Sequence, residues 1–84
     1  MIFMHTVYIL QDKNGRLYKG LTNDLSRRLK EHVNGKTKTT RSMVDLRLIY
    51  KEDYSDLITA REREIYFKTA AGRRVLKKLI NMSQ

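Results

Sequence analysis

The chain reads as an α+β domain, a three-stranded antiparallel sheet flanked by helices in the order β-β-α-β-α-α. Three observations predict it. Residues 6–21 hold two short runs of strand-forming residues separated by Asn14-Gly15, the signature of a hairpin. Leu25, Leu29 and Val33 recur at i, i+4 and i+8 behind a group of capping residues. A third strand-like run at 46–50 is followed by two further helical patterns. The 84 residues are read as one domain spanning 1–84; a chain of this size buries only about 60% of its unfolded surface, so the core is small.

The first strand is Thr6 to Gln11, apolar on both faces as expected of a covered position, and the second is Arg16 to Leu21. The loop between them decides the parity of the hairpin. A two-residue Asn14-Gly15 loop places Tyr8 and Tyr18 on opposite faces; a three-residue Lys13-Asn14-Gly15 loop with Gly15 left-handed places them on one.

Thr22, Asn23 and Asp24 are all good N-cap residues, and Gly35 closes a first helix of about ten residues. At 100° per residue Arg28 and His32 lie beside the leucine stripe, i and i+4 to each other, while Arg27, Lys30 and Glu31 face away. Residues 34–44 have no periodicity and carry cations and hydroxyls, a loop composition suited to phosphate contact. Leu46 to Tyr50 is the third strand. Ser55 or Asp56 caps a second helix that runs to about Ala70 with Gly72 as its stop, and Arg73 to Asn81 forms a third.

Charge is the strongest global signal: 18 Lys+Arg against 9 Asp+Glu gives +9, which favours a polyanionic partner. No cysteine is present, which removes disulfides, thiolate zinc sites and cysteine nucleophiles and fits a reducing, cytoplasmic setting. The longest apolar runs are far short of the roughly 20 residues a membrane helix needs, so no membrane partner is expected. No Gly-rich phosphate loop, paired-histidine metal motif or serine elbow occurs.

One side chain is out of place on the second helix. The apolar stripe of Leu57, Ala60, Phe67 and Ala71, broadened by Ile58 and Ile65, has Glu64 near its centre. A buried unpaired carboxylate is costly, so Glu64 needs a partner such as Arg28, a place at the lip of a cleft, or a metal ion.

Thr6-Val7-Tyr8, Tyr18-Lys19-Gly20, the helical segment from Thr22 to His32, and Ala60-Arg61-Glu62-Arg63-Glu64-Ile65-Tyr66-Phe67-Lys68 together resemble the GIY-YIG nuclease family. The resemblance covers about residues 6–80 and is closest to small single-domain members related to the nuclease domain found in the nucleotide-excision-repair machinery. Thr6 stands in place of the first glycine, and Lys19 in place of an apolar or small residue. Thr39 stands about where related members carry tyrosine or histidine, a role open to Lys38, Thr40 or Tyr50.

The resemblance implies a DNA endonuclease acting in repair or in processing of DNA structures, with Tyr8, Tyr18, Arg28, His32 and Glu64 as catalytic residues. It implies that Glu64 holds one Mg²⁺ or Mn²⁺. The alternative is a DNA- or RNA-binding module that keeps the fold without turnover. On either reading Lys36, Lys38 and Arg41 in the loop and Arg73, Arg74 and Lys77 in the last helix are the expected nucleic-acid contacts, with DNA, including branched, flapped or nicked forms, as the partner. A homodimer or a partner protein would add affinity. Convergence of the two tyrosines requires the three-residue loop.

Overall fold

A computed structural model describes residues 4–83. Its elements run β1 (His5–Gln11), β2 (Leu17–Thr22), α1 (Leu25–Val33), a single 3-10 turn at Lys38–Thr40, β3 (Arg47–Tyr54), α2 (Leu57–Tyr66) and α3 (Ala70–Met82). The expected order and the antiparallel sheet are present, with strand order β2-β1-β3. β1 is therefore the central strand. Val7 to Leu10 are at most 1% exposed, which is why this strand carries apolar residues on both faces.

The hairpin has the three-residue loop that shared tyrosines require. The Asp12 and Arg16 backbones close it, with Asp12 N–H donating to the Arg16 carbonyl at 3.0 Å. Gly15 donates back to the Asp12 carbonyl at 3.1 Å and adopts φ +85°, the left-handed conformation that glycine reaches without steric cost. The buried Asp12 carboxylate fixes the turn by accepting from the backbone N–H groups of Asn14 (3.0 Å) and Arg16 (2.8 Å). Tyr8 consequently pairs with Gly20 and Leu10 with Tyr18, so both tyrosines stand on one face of the sheet.

Val7 and Ile9 point to the other face, where Ala60 from α2, Phe67 just past its end and Leu76 from α3 complete the core. α2 is held there by a polar clamp as well. Glu52, on β3, accepts from Arg63 Nε (2.9 Å) and Nη2 (3.2 Å) and from the hydroxyls of Tyr50 (2.5 Å) and Tyr54 (2.6 Å). The Arg63 guanidinium lies 4.4 Å from the centre of the Phe67 ring. This network explains why β3 runs on to Tyr54 rather than ending near Tyr50: its polar second half finds partners on α2, and Asp53 takes the Thr6 hydroxyl at 2.6 Å.

The boundary between the last two helices differs from expectation. α2 stops at Tyr66 and α3 begins at Ala70, so Gly72 lies inside α3. Thr69 makes the break: its hydroxyl accepts from Gly72 N–H at 3.0 Å and donates to the Tyr66 carbonyl at 2.7 Å. Gly72 serves close packing instead, because a Cβ there would land on the Tyr66 carbonyl oxygen.

The apolar stripe of α1 also shifts. Leu25 and Leu29 are half-buried, Val33 is 73% exposed and His32 is 2% exposed. The segment after α1 folds back over His32 and supplies a polar partner for its ring, so a histidine occupies the place that periodicity assigned to valine.

Candidate active site

Tyr8, Tyr18, Arg28 and His32 meet between the sheet and α1. The Tyr8 hydroxyl lies 2.8 Å from His32 Nε2 and accepts a hydrogen bond from Arg28 Nε at 3.3 Å. Tyr18 closes the group, its ring centre 6.1 Å from that of Tyr8 and 4.8 Å from that of His32. Gly20 makes this possible. A Cβ at that position would run into the end of the Tyr8 ring that pairs across from it.

The electrostatics follow from burial. Tyr8 is fully buried, and desolvation raises its pKa to about 12, against a lowering contribution from the Arg28 hydrogen bond. His32 is held below its ordinary value of 6.5, first by burial and then by the nearby Arg28 charge, so the imidazole is neutral at pH 7. Arg28 is held protonated by its bonds to Tyr8 and to Glu31, the latter at 3.1 Å. A phenol that accepts from a guanidinium and lies within hydrogen-bond distance of a neutral imidazole can pass a proton inward while the guanidinium presents positive charge outward.

The outward side is a cleft of about 530 Å³, where the start of α1 and the length of α2 face each other across the end of β2. Arg28, Arg27 and Glu31 stand on one wall, and Arg61 and Glu64 on the other. Glu64 thus takes the second of its three options, the lip of a cleft. It is not central in a buried face as the helical wheel had it: Ile58 and Ile65 are 68% and 56% exposed, and Leu57, Arg61 and Glu64 form the flank of α2 that borders the cleft. Arg28 is not its partner. Lys68 approaches at 3.7 Å, and among the described residues no hydrogen bond reaches the Glu64 carboxylate, whose side chain is 15% exposed.

Among the described residues no three His, Asp or Glu side chains gather into a metal cage. A single partly exposed carboxylate suits a hard dication that keeps most of its waters and takes its remaining ligands from a phosphate substrate. Glu64, without a hydrogen bond and facing a cleft lined by arginines, meets that requirement.

The expected nucleic-acid contacts fall into two groups. Lys36, Lys38 and Arg41 are exposed on the segment after α1, on the tyrosine side of the sheet, where Arg41 Nε donates to the Gly35 carbonyl at 3.1 Å. Arg73, Arg74 and Lys77 are exposed on α3, which covers the other face. Arg73 and Lys77 border a groove of about 380 Å³ together with Lys19. Burial and the neighbouring Arg73 and Lys68 charges push the Lys19 ammonium below its ordinary pKa, a sign of cations crowded along the β2 edge.

Of the residues that could fill the place of Thr39, Thr40 reaches the site: its hydroxyl lies 2.8 Å from His32 Nδ1. Thr39 is exposed, and Tyr50 is committed to Glu52. Sequence reasoning missed Arg61, Glu31 and His5, which also line the cleft. The i, i+3 spacing of Arg61 and Glu64 carried the signal for the first. For Glu31 the wheel pointed outward, and only its pairing with Arg28 turns it to the cleft.

Comparison with known proteins shows the family to which the chain belongs. Residues 4–78 match the GIY-YIG catalytic domain. The chain is 42% identical over 65 residues to a UPF0213 protein of Bacillus licheniformis, covering 76% of this chain and 67% of the relative. It is 36% identical over 74 residues to a UPF0213 protein of Staphylococcus epidermidis, covering 87% and 90%. Among solved structures it is similar to the solution NMR structure of a UPF0213 protein of Bacillus halodurans, with a TM-score of 0.58, 34% identity, and coverage of 90% of this chain and 84% of that one. On the domain match, the relatives and the fold together, this chain belongs to the GIY-YIG nuclease family.

Proposed function

We propose that the protein is a metal-dependent endonuclease that hydrolyses phosphodiester bonds in DNA and acts in repair or processing of DNA structures. One observation carries the reading: the Tyr8, His32 and Arg28 cluster is joined through Arg28 to a cleft whose far wall holds Glu64. Arg28 grips the phosphate through the planar face of its guanidinium and neutralises charge gained in the transition state. Engaging the phosphate draws Arg28 away from the Tyr8 hydroxyl, which it covers in the resting site.

Tyr8 then takes a proton from the attacking water as the water oxygen bonds to phosphorus. Its own phenolic proton moves to His32 Nε2, and the bond from phosphorus to the leaving oxygen breaks with its electron pair on that oxygen, which takes a proton from solvent. This relay answers the difficulty raised by a phenol with a pKa of about 12, which at neutral pH has no free phenolate to offer. Tyr18 packs against both rings and holds them in register. Glu64 would hold one Mg²⁺ or Mn²⁺, which supplies Lewis-acid polarisation of the phosphate and stabilises the leaving oxygen.

The test is incubation with supercoiled plasmid and with branched or flapped DNA in Mg²⁺ or Mn²⁺, with an EDTA control. Nicking that requires the metal and disappears in Glu64→Ala, with DNA affinity and folding retained, is the expected result. Equal cleavage by Glu64→Ala would overturn the mechanism. Binding without cleavage under every condition would leave the non-catalytic module in its place.

A further inference from the structure

We propose that Thr40 is a positioning residue of this site: its buried hydroxyl accepts a hydrogen bond from Nδ1–H of His32 and thereby keeps Nε2 open as the acceptor for the Tyr8 phenol. The proposal rests on the hydrolytic reading above. One set of directions satisfies every donor and acceptor of the chain at once. Arg28 Nε can only donate, so the Tyr8 oxygen accepts there at 3.3 Å, and its own proton points to His32 Nε2 at 2.8 Å. At the other end the Thr40 hydroxyl donates to the Thr37 carbonyl, a long bond of 3.5 Å, and its oxygen accepts from His32 Nδ1 at 2.8 Å. A neutral imidazole has one N–H, and this arrangement puts it on Nδ1.

The need for such a partner follows from the burial of the ring. His32 is 2% exposed and Thr40 is 1% exposed, so no bulk water stands in for a missing acceptor. With Nδ1 unserved, the proton moves to Nε2 or the ring turns over, and either change points an N–H at Tyr8. Two donors then face each other, and the phenolic proton has no place to go. Tyr8 from β1, Tyr18 from β2, Arg28 and Glu31 from α1, and Asp45 beside a small cavity also surround the ring, but among the described residues only the Thr40 hydroxyl is within hydrogen-bond distance of Nδ1. Glu31 is occupied by Arg28.

Thr40→Val keeps the shape of the side chain and removes the acceptor; Thr40→Ser keeps the acceptor and removes a methyl group. Long-range ¹H–¹⁵N spectra of the intact protein at pH 7.5 read the His32 tautomer without any reference to activity. The wild type and Thr40→Ser are expected in the Nδ1–H form, and Thr40→Val in a mixture or in the Nε2–H form. In plasmid nicking, Thr40→Val is expected to lose kcat by about 10- to 100-fold, the cost seen when the hydrogen-bond partner that orients a metal-bound histidine is removed, with KM unchanged and Thr40→Ser near wild type.

A wild-type His32 protonated on Nε2, or a Thr40→Val protein with unchanged tautomer and kcat, would overturn the proposal. Should Thr40→Val fail to fold, the wild-type tautomer and the behaviour of Thr40→Ser still decide it. A protein that cuts no DNA while showing the expected tautomers would defeat the nuclease reading and leave the Thr40 to His32 contact standing.

Discussion

Tyr8 is the least exposed residue of its type in the site, yet its hydroxyl has partners on two sides, Arg28 and His32. Single atoms decide this arrangement. Gly20 must lack a Cβ for the Tyr8 ring to lie across it, which gives the second glycine of the motif a packing reason rather than a conformational one. His32 carries the pH dependence of the cluster. Its folded pKa lies below the ordinary 6.5, so the unfolded chain binds a proton there that the native protein refuses. The stability it contributes is complete above about pH 6.5 and is lost as pH falls through the folded value. Each unit of separation is worth about 1.4 kcal/mol. Urea midpoints are therefore expected to fall between pH 7 and pH 5 in the wild type and to stay flat over that window in His32→Gln; equal slopes would show that the imidazole takes up its proton as readily in the native protein as in the unfolded chain.

At the scale of elements, the placing of Glu64 depends on how α2 is held. Two devices hold it: Arg63 reaches Glu52 on β3 with two nitrogens, and Gly72 lets α3 close onto the last turn of α2. In the segment Ala60 to Lys68 the two central residues thus divide the work, Arg63 docking the helix and Glu64 facing the cleft. Burial pushes the Glu52 carboxyl up, but the bonds from Arg63, Tyr50 and Tyr54 outweigh it and keep the group ionised below the usual carboxylate range. Gly72→Ala sets two effects against each other. Helix propensity favours alanine by about 1 kcal/mol, whereas a methyl driven onto a backbone carbonyl costs about 1–3 kcal/mol and cannot be relieved by a side-chain rotation. The clash is expected to win, lowering Tm by roughly 5 °C or more; a melting curve shifted upward would show that α3 can retreat from α2 without loss.

At the scale of the whole molecule, +9 is spread over a small body, and the cations flank the sheet on both sides. None of the described helices is long and apolar enough to cross a membrane. Lys36, Lys38 and Arg41 extend the tyrosine side, while Lys19, Arg73 and Lys77 border the groove between β2 and α3. DNA affinity is expected to fall linearly in log–log terms with salt, at about 0.9 per phosphate neutralised. Removing Arg73 and Lys77 together should reduce that slope by about two and weaken binding uniformly across DNA sequences. A slope unchanged by the double substitution, measured by fluorescence anisotropy from about 50 to 200 mM salt, would take α3 out of the contact surface.

Local chemistry determined a good deal by itself. The hairpin, the capped first helix and the order of elements follow from residues within a few positions of each other: Asn14-Gly15 for the turn, Asp24 for the cap, alternation for the strands. Arg28 beside the leucine stripe and Glu64 as an unusual carboxylate on α2 were legible from helical spacing, but whether Tyr8 and Tyr18 share a face waited on the length of the hairpin loop. Burial was not legible in that way. Val33 and His32 exchange places relative to the periodic pattern, Ile58 and Ile65 lie in solvent, and Gly72 sits inside a helix, because each outcome depends on which distant segment arrives against the residue. Thr40, Glu52 and Arg63 acquire their roles only when the loop, β3 and α2 are brought together. The cost of burying a polar group is settled by partners far along the chain, and spacing carries no information about who those partners are.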